Sequence, residues 1–126
     1  MRRPIAALLG VAILAAACFS ERATVASPDA LCTVPADVFG QGRAFVIIRD
    51  FAFFPDTISV TPGTTVTWIN CEEAGTEAHT TTSDTQVWSS GPLVRADVFS
   101  HRFDQPGEYP YFCVPHPFMR AEVVVE

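Results

Sequence analysis

Beyond residue 43 the chain alternates short apolar or period-two stretches with turn signals, and each stretch is the length of one strand. The runs are residues 44–49, 57–60, 64–70, 97–103, 108–113 and 121–126. Between them stand Thr61-Pro62-Gly63, Gly91-Pro92 and Gln105-Pro106-Gly107, in which Pro presets φ and Gly accepts a positive one. Alternation puts Val66 and Trp68 on one face of the third run and Thr65 and Thr67 on the other. Phe99, His101 and Phe103 share a face of a later run in the same way. These faces are the expected core, and several short strands at such spacing predict an all-β sandwich or barrel.

The start of the chain follows a different pattern. Arg2 and Arg3 precede an unbroken apolar run at residues 5–17, too short to span a bilayer as a helix and shaped like the hydrophobic part of an export signal. Ala15, Ala16 and Ala17 supply the small residues a signal peptidase requires, and Cys18 follows at once. The stretch Leu14-Ala15-Ala16-Ala17-Cys18 resembles a bacterial lipoprotein processing site, although Leu14 stands four residues before the Cys where three is usual. Two outcomes stay open: a lipid-modified Cys18, or plain cleavage nearby. Either way the domain is expected to be exported, to the periplasm or to a membrane surface through an N-terminal lipid. Residues 18–40, with Ser20, Ser27, Pro28 and Pro35, are expected to form a tether or N-terminal extension ahead of a single domain at 41–126.

Composition narrows the function. All 8 basic residues are Arg and face 14 acidic ones, for a formal net charge of −6. Removing residues 1–17 takes away two Arg and no acid, which brings the net charge to −8. No nucleic-acid partner is therefore expected. At 126 residues, with ten Phe and ten Pro, the chain has room for one strand-rich domain and none for a multidomain enzyme.

The candidate chemistry lies in Tyr111-Phe112-Cys113-Val114-Pro115-His116-Pro117-Phe118-Met119, where a thiol, an imidazole and a thioether recur at every third position. Singly, each has an ordinary structural role: a buried small Cys, a surface His, a gap-filling Met. Together, just before the last strand, they are soft-metal ligands. A metal that takes thiolate, imidazole and thioether at once is copper, and two His with one Cys and a weak axial Met describe a blue-copper electron-transfer site. The second imidazole is assigned to His79, in Glu77-Ala78-His79-Thr80-Thr81-Thr82, a loop-to-strand segment. His101 lies mid-strand between Phe99 and Phe103 and is expected to be core or half-buried. Zinc fits poorly, since structural zinc sites usually hold at least two thiolates.

These residues resemble the cupredoxin (blue copper) family, and within it the amicyanin- and plastocyanin-like proteins. The resemblance rests on Cys113-Val114-Pro115-His116-Pro117-Phe118-Met119-Arg120 with its Val-rich last strand, on Asp50-Phe51-Ala52-Phe53-Phe54-Pro55, on residues 60–70 and on Gly107-Glu108-Tyr109. It implies a Greek-key β-sandwich of about eight strands and one copper per chain, cycling between Cu(I) and Cu(II). The implied ligands are His79, Cys113, His116 and Met119. The implied function is a mononuclear type 1 copper protein that shuttles single electrons between exported or membrane redox partners, such as a c-type cytochrome or a periplasmic dehydrogenase. Electrons are expected to pass through His116, within a docking patch of Pro115, His116, Pro117 and Phe118. Glu72, Glu73 and Glu77, near the same end, would steer a cationic partner. The protein is expected to be a monomer.

Catalysis is not expected. Multicopper oxidases and copper nitrite reductases need more domains and further His ligands, and four protein ligands leave no position for a substrate. The alternative is a periplasmic copper storage or delivery protein, which would need accessible, exchanging ligands. With Cys113 assigned to copper and Cys18 to the leader or a lipid, Cys32 and Cys71 remain as an expected disulfide, against two independent thiols.

Overall fold

A computed structural model describes residues 32–33 and 44–126. The export segment, Cys18 and the rest of the expected tether lie outside the described residues. Eight strands form: β1 Phe45–Arg49, β2 Ala52–Phe54, β3 Thr57–Val60, β4 Thr64–Asn70, β5 Thr82–Ser83, β6 Val98–Phe103, β7 Gly107–Phe112 and β8 Arg120–Val125. They make two four-stranded sheets, in the orders β2-β1-β4-β6 and β3-β8-β7-β5, and no helix occurs among the described residues. The chain repeatedly crosses from one sheet to the other, in Greek-key manner, so β1 pairs with β4 and β3 with β8 in parallel while the remaining pairs are antiparallel.

Side-chain alternation builds the space between the sheets. In β4, Val66 and Trp68 are fully buried while Thr65 is exposed and Thr67 half-buried. Their counterparts in β6 are Phe99, His101 and Phe103, with Val98, Ser100 and Arg102 turned outward to solvent. Trp68 is the centre: its ring lies 5.5 Å from Tyr111, 5.7 Å from Trp88 and 5.9 Å from Phe99, centroid to centroid. Such offset and edge contacts add to the large apolar area that each ring buries. His101 stacks on Trp88 at 5.3 Å, and burial lowers its pKa, which keeps the imidazole neutral among these rings.

Ile47 and Ile69 point to the outer face of the first sheet and are nevertheless fully buried. They pack with Cys71 against Phe45, Phe54 and Cys32. Cys32 and Cys71 are bonded, with Cα atoms 5.2 Å apart, so a segment from far upstream in the chain is stapled over this second, smaller core.

Two differences from the sequence expectation bear on the site. The strand expected to end at Cys113 ends at Phe112, so Cys113 heads the following loop. β2 and β5 are not among the expected strands: β2 pairs back on β1 through the two-residue turn Asp50-Phe51, and β5 is two residues held on β7.

Candidate metal centre

Three segments converge at one end of the sandwich. Asn70 closes β4, and its side-chain oxygen accepts the N–H of Glu72 at 2.9 Å while its amide donates to the Leu93 carbonyl at 2.8 Å. The stretch that follows is thereby fixed against the sheet end. His79 is held by a two-way backbone bridge with Leu93, at 3.0 and 2.7 Å. The loop from Cys113 to Met119 winds tightly: the His116 N–H donates to the Cys113 carbonyl at 3.2 Å, the Met119 N–H to the His116 carbonyl at 2.9 Å, and the Cys113 N–H back to the Met119 carbonyl at 3.1 Å. Pro115 and Pro117 suit such a loop, since each fixes φ and neither is needed as a donor. The Val114 N–H donates to Thr80 Oγ1 at 2.8 Å, tying the two ligand-bearing segments together.

This scaffold brings His79 Nδ1, His116 Nδ1 and Cys113 Sγ into a triangle. The two nitrogens are 3.2 Å apart, and the sulfur lies 3.7 Å from His79 and 3.6 Å from His116. The point equidistant from all three is about 2.0 Å from each, the length of a metal–imidazole bond. Each ring's other nitrogen is already engaged: the Nε2–H of His79 donates to Glu72 Oε1 at 2.9 Å and that of His116 to Glu77 Oε2 at 3.0 Å. Both Nδ1 lone pairs therefore face the triangle together with the sulfur. Three electron-pair donors at this spacing suit a cation, and one thiolate with two imidazoles matches copper. Burial lowers the His79 pKa, against the opposing pull of Glu72, so that ring is neutral and available as a ligand near neutral pH. The Cys113 sulfur also accepts the Thr80 N–H at 3.3 Å, which suits a thiolate.

Met119 is buried in the same core as Cys113, one loop turn beyond His116. His101 lies in the Trp88 ring cluster and is not part of the donor group. Of the residues expected to form a docking patch, Phe118 is the most exposed large apolar side chain, at 71%, and its ring is 6.0 Å from that of His116. Pro117 is exposed beside it, as is Pro115.

Glu72 departs from the role read from sequence. It is buried, and its carboxylate oxygen accepts both the His79 Nε2–H and the Phe51 N–H, so it orients the His79 imidazole and cannot steer a partner from the surface. Glu73 and Glu77 are exposed. Phe51 has no role in the site as read from the sequence, where it is only part of the family resemblance. Its ring lies 5.2 Å from His79 and 5.1 Å from His116, nearly perpendicular to both, and nothing in a two-residue turn 28 positions before His79 signals that contact.

Comparison with known proteins agrees with this chemistry. Residues 43–126 match the family of copper-binding proteins of the plastocyanin/azurin type. Amicyanin-alpha of Methylorubrum extorquens is 34% identical over 124 residues, covering 89% of this chain and 93% of the relative. Amicyanin of Paracoccus denitrificans is 32% identical over 128 residues, covering 100% of this chain and 95% of the relative. Among solved structures, a purple cupredoxin from Nitrosopumilus maritimus superposes with a TM-score of 0.61 at 31% identity, over 67% of this chain and 100% of its own.

Proposed function

We propose that this chain, which belongs to the plastocyanin/azurin family of copper-binding proteins, carries single electrons on one copper that His79, Cys113, His116 and Met119 would hold. The observation that carries the reading is the triangle of two Nδ1 atoms and one sulfur, centred at metal–ligand distance. Copper bound there supplies one-electron chemistry by alternating between Cu(I) and Cu(II). The chain's own residues keep the site stiff. Glu72 and Glu77 hold the two rings in the ligating tautomer, and the hydrogen-bonded loop fixes Cys113 and Met119, so little rearranges between oxidation states.

Burial of the donors favours electron carriage over copper storage or delivery, because a recipient must reach the ligands of a delivery protein. Four protein ligands would leave no coordination position for a substrate, and the proposed role is not catalytic. Electrons enter and leave through His116, beneath the patch of Pro115, Pro117 and Phe118. A redox protein such as a c-type cytochrome or a periplasmic dehydrogenase docks there, drawn in by Glu73 and Glu77 where its own surface is basic. The leader at residues 1–17 supports export to the periplasm, either with a lipid on Cys18 as a membrane attachment or after plain cleavage nearby.

Adding copper(II) to the metal-free protein is expected to give an intense thiolate-to-copper visible band at one equivalent and the narrow paramagnetic splitting of a type 1 site. A colourless adduct with an ordinary splitting would remove this reading. Replacing Phe118 by Glu should slow reduction by a partner protein about tenfold or more while the visible band is unchanged, since the side chain lies on the docking face and outside the donor triangle. Equal rates in stopped-flow mixing would exclude this face.

A further inference from the structure

Asp50 and Phe51 form the whole turn between β1 and β2, and both have a φ of 53°. A two-residue hairpin of this twist wants a positive φ at each position, which Asn-Gly supplies without steric cost and which a bulky side chain resists. Phe is a poor choice for the fold, and such outliers gather at functional sites. Here the strained residue makes three contacts with the metal centre. Its N–H donates at 2.8 Å to the Glu72 oxygen that also takes the His79 Nε2–H. Its ring stands at 87° to the His79 imidazole and at 89° to that of His116, with centroids 5.2 and 5.1 Å away.

We propose that Phe51 is a positioning residue for the metal centre: its ring braces both imidazoles at once and keeps their Nδ1 atoms on the donor triangle. The inference rests on the copper reading above. One backbone hydrogen bond and one ring bring Glu72, His79 and His116 under common restraint, although His79 and His116 come from different segments of the chain. Gly at this position would make a better turn and a looser site.

The test compares Phe51→Gly, Phe51→Ala and Phe51→Tyr with the parent protein. Copper(I) release is followed after addition of an excess of a copper(I) chelator, and stability is followed by urea unfolding of the metal-free proteins. Release is expected to be about tenfold faster in both ringless variants and unchanged in Phe51→Tyr. The Gly variant should nonetheless be more stable than the Ala variant, because only Gly takes a φ of 53° without strain. Equal release from all four proteins overturns the proposal, and so does release that simply follows stability. A metal-independent reading comes from the Nε2–H resonances of His79 and His116 in the metal-free proteins, whose exchange with solvent is expected to be faster in the two ringless variants and unchanged in Phe51→Tyr, because a loosened ring loses its hydrogen bond to Glu72 or Glu77. If the parent protein takes up no copper, the copper reading fails while these resonances still decide the brace.

Discussion

Cys113→Ser is expected to abolish the intense visible band on copper addition and to weaken copper(II) binding by more than about 100-fold, with the fold intact. The substitution changes one buried atom. Sulfur and oxygen differ little in size, and the loop is held by backbone bonds among Cys113, His116 and Met119 that the side chain does not make. The chemistry, however, is lost. A serine hydroxyl stays protonated at neutral pH, so the soft, anionic corner of the donor triangle becomes a neutral hard one, while His79 and His116 remain as two imidazoles. Copper titration with a competing chelator measures the affinity, and the urea midpoint of the metal-free protein checks the fold. A variant that kept the band would remove Cys113 from the ligand set. A variant that lost the band only because it unfolded would show a large fall in that midpoint.

The second large effect is expected from Cys32→Ser combined with Cys71→Ser. Opening a link across a sequence separation of 39 should cost about 3–4 kcal/mol through the freedom returned to the unfolded chain. For a domain of this size that corresponds to a fall in melting temperature on the order of 15 °C. The native state also loses packing, because the bridge covers Ile47 and Ile69 on the outer face of the first sheet. Thermal unfolding of the metal-free protein with and without reductant makes the measurement before any substitution is introduced. Identical curves would mean that the link adds nothing to stability. Cys71 immediately precedes Glu72, and its N–H donates to the Ile48 carbonyl at 2.7 Å, so the same experiment on the copper-loaded protein reads whether loosening this segment disturbs the orientation of His79.

Strand positions were legible wherever one face of the chain meets the core and the other meets water. The runs at residues 57–60 and 64–70 coincide with β3 and β4, because alternation and the flanking Thr61-Pro62-Gly63 turn mark both ends. β2 and β5 left no such mark. Each exists through its neighbour: Ala52–Phe54 is folded back onto β1 by a turn that lacks the usual glycine, and Thr82–Ser83 is strand only because β7 offers it a partner. The outward-facing Ile47 and Ile69 break the expected alternation for a similar reason, since a covalent link from a distant segment makes that face an interior.

For the site, the spacing of Cys113, His116 and Met119 was readable because one tight loop carries all three, and local backbone geometry sets their separation. Which groups surround them was not readable. Glu72 has the composition of a solvated loop acid, and Phe51 that of an ordinary strand-end aromatic. Their roles depend on where the β1–β2 turn and the end of β4 come to lie when the two sheets pack. The sequence alone determined which soft donor side chains stand close together in one loop and the strand-rich architecture, since both follow from residue type at short spacing. Only the tertiary structure decided which carboxylates orient the imidazoles and which ring braces them, because those contacts join residues from separate segments whose approach no local pattern encodes.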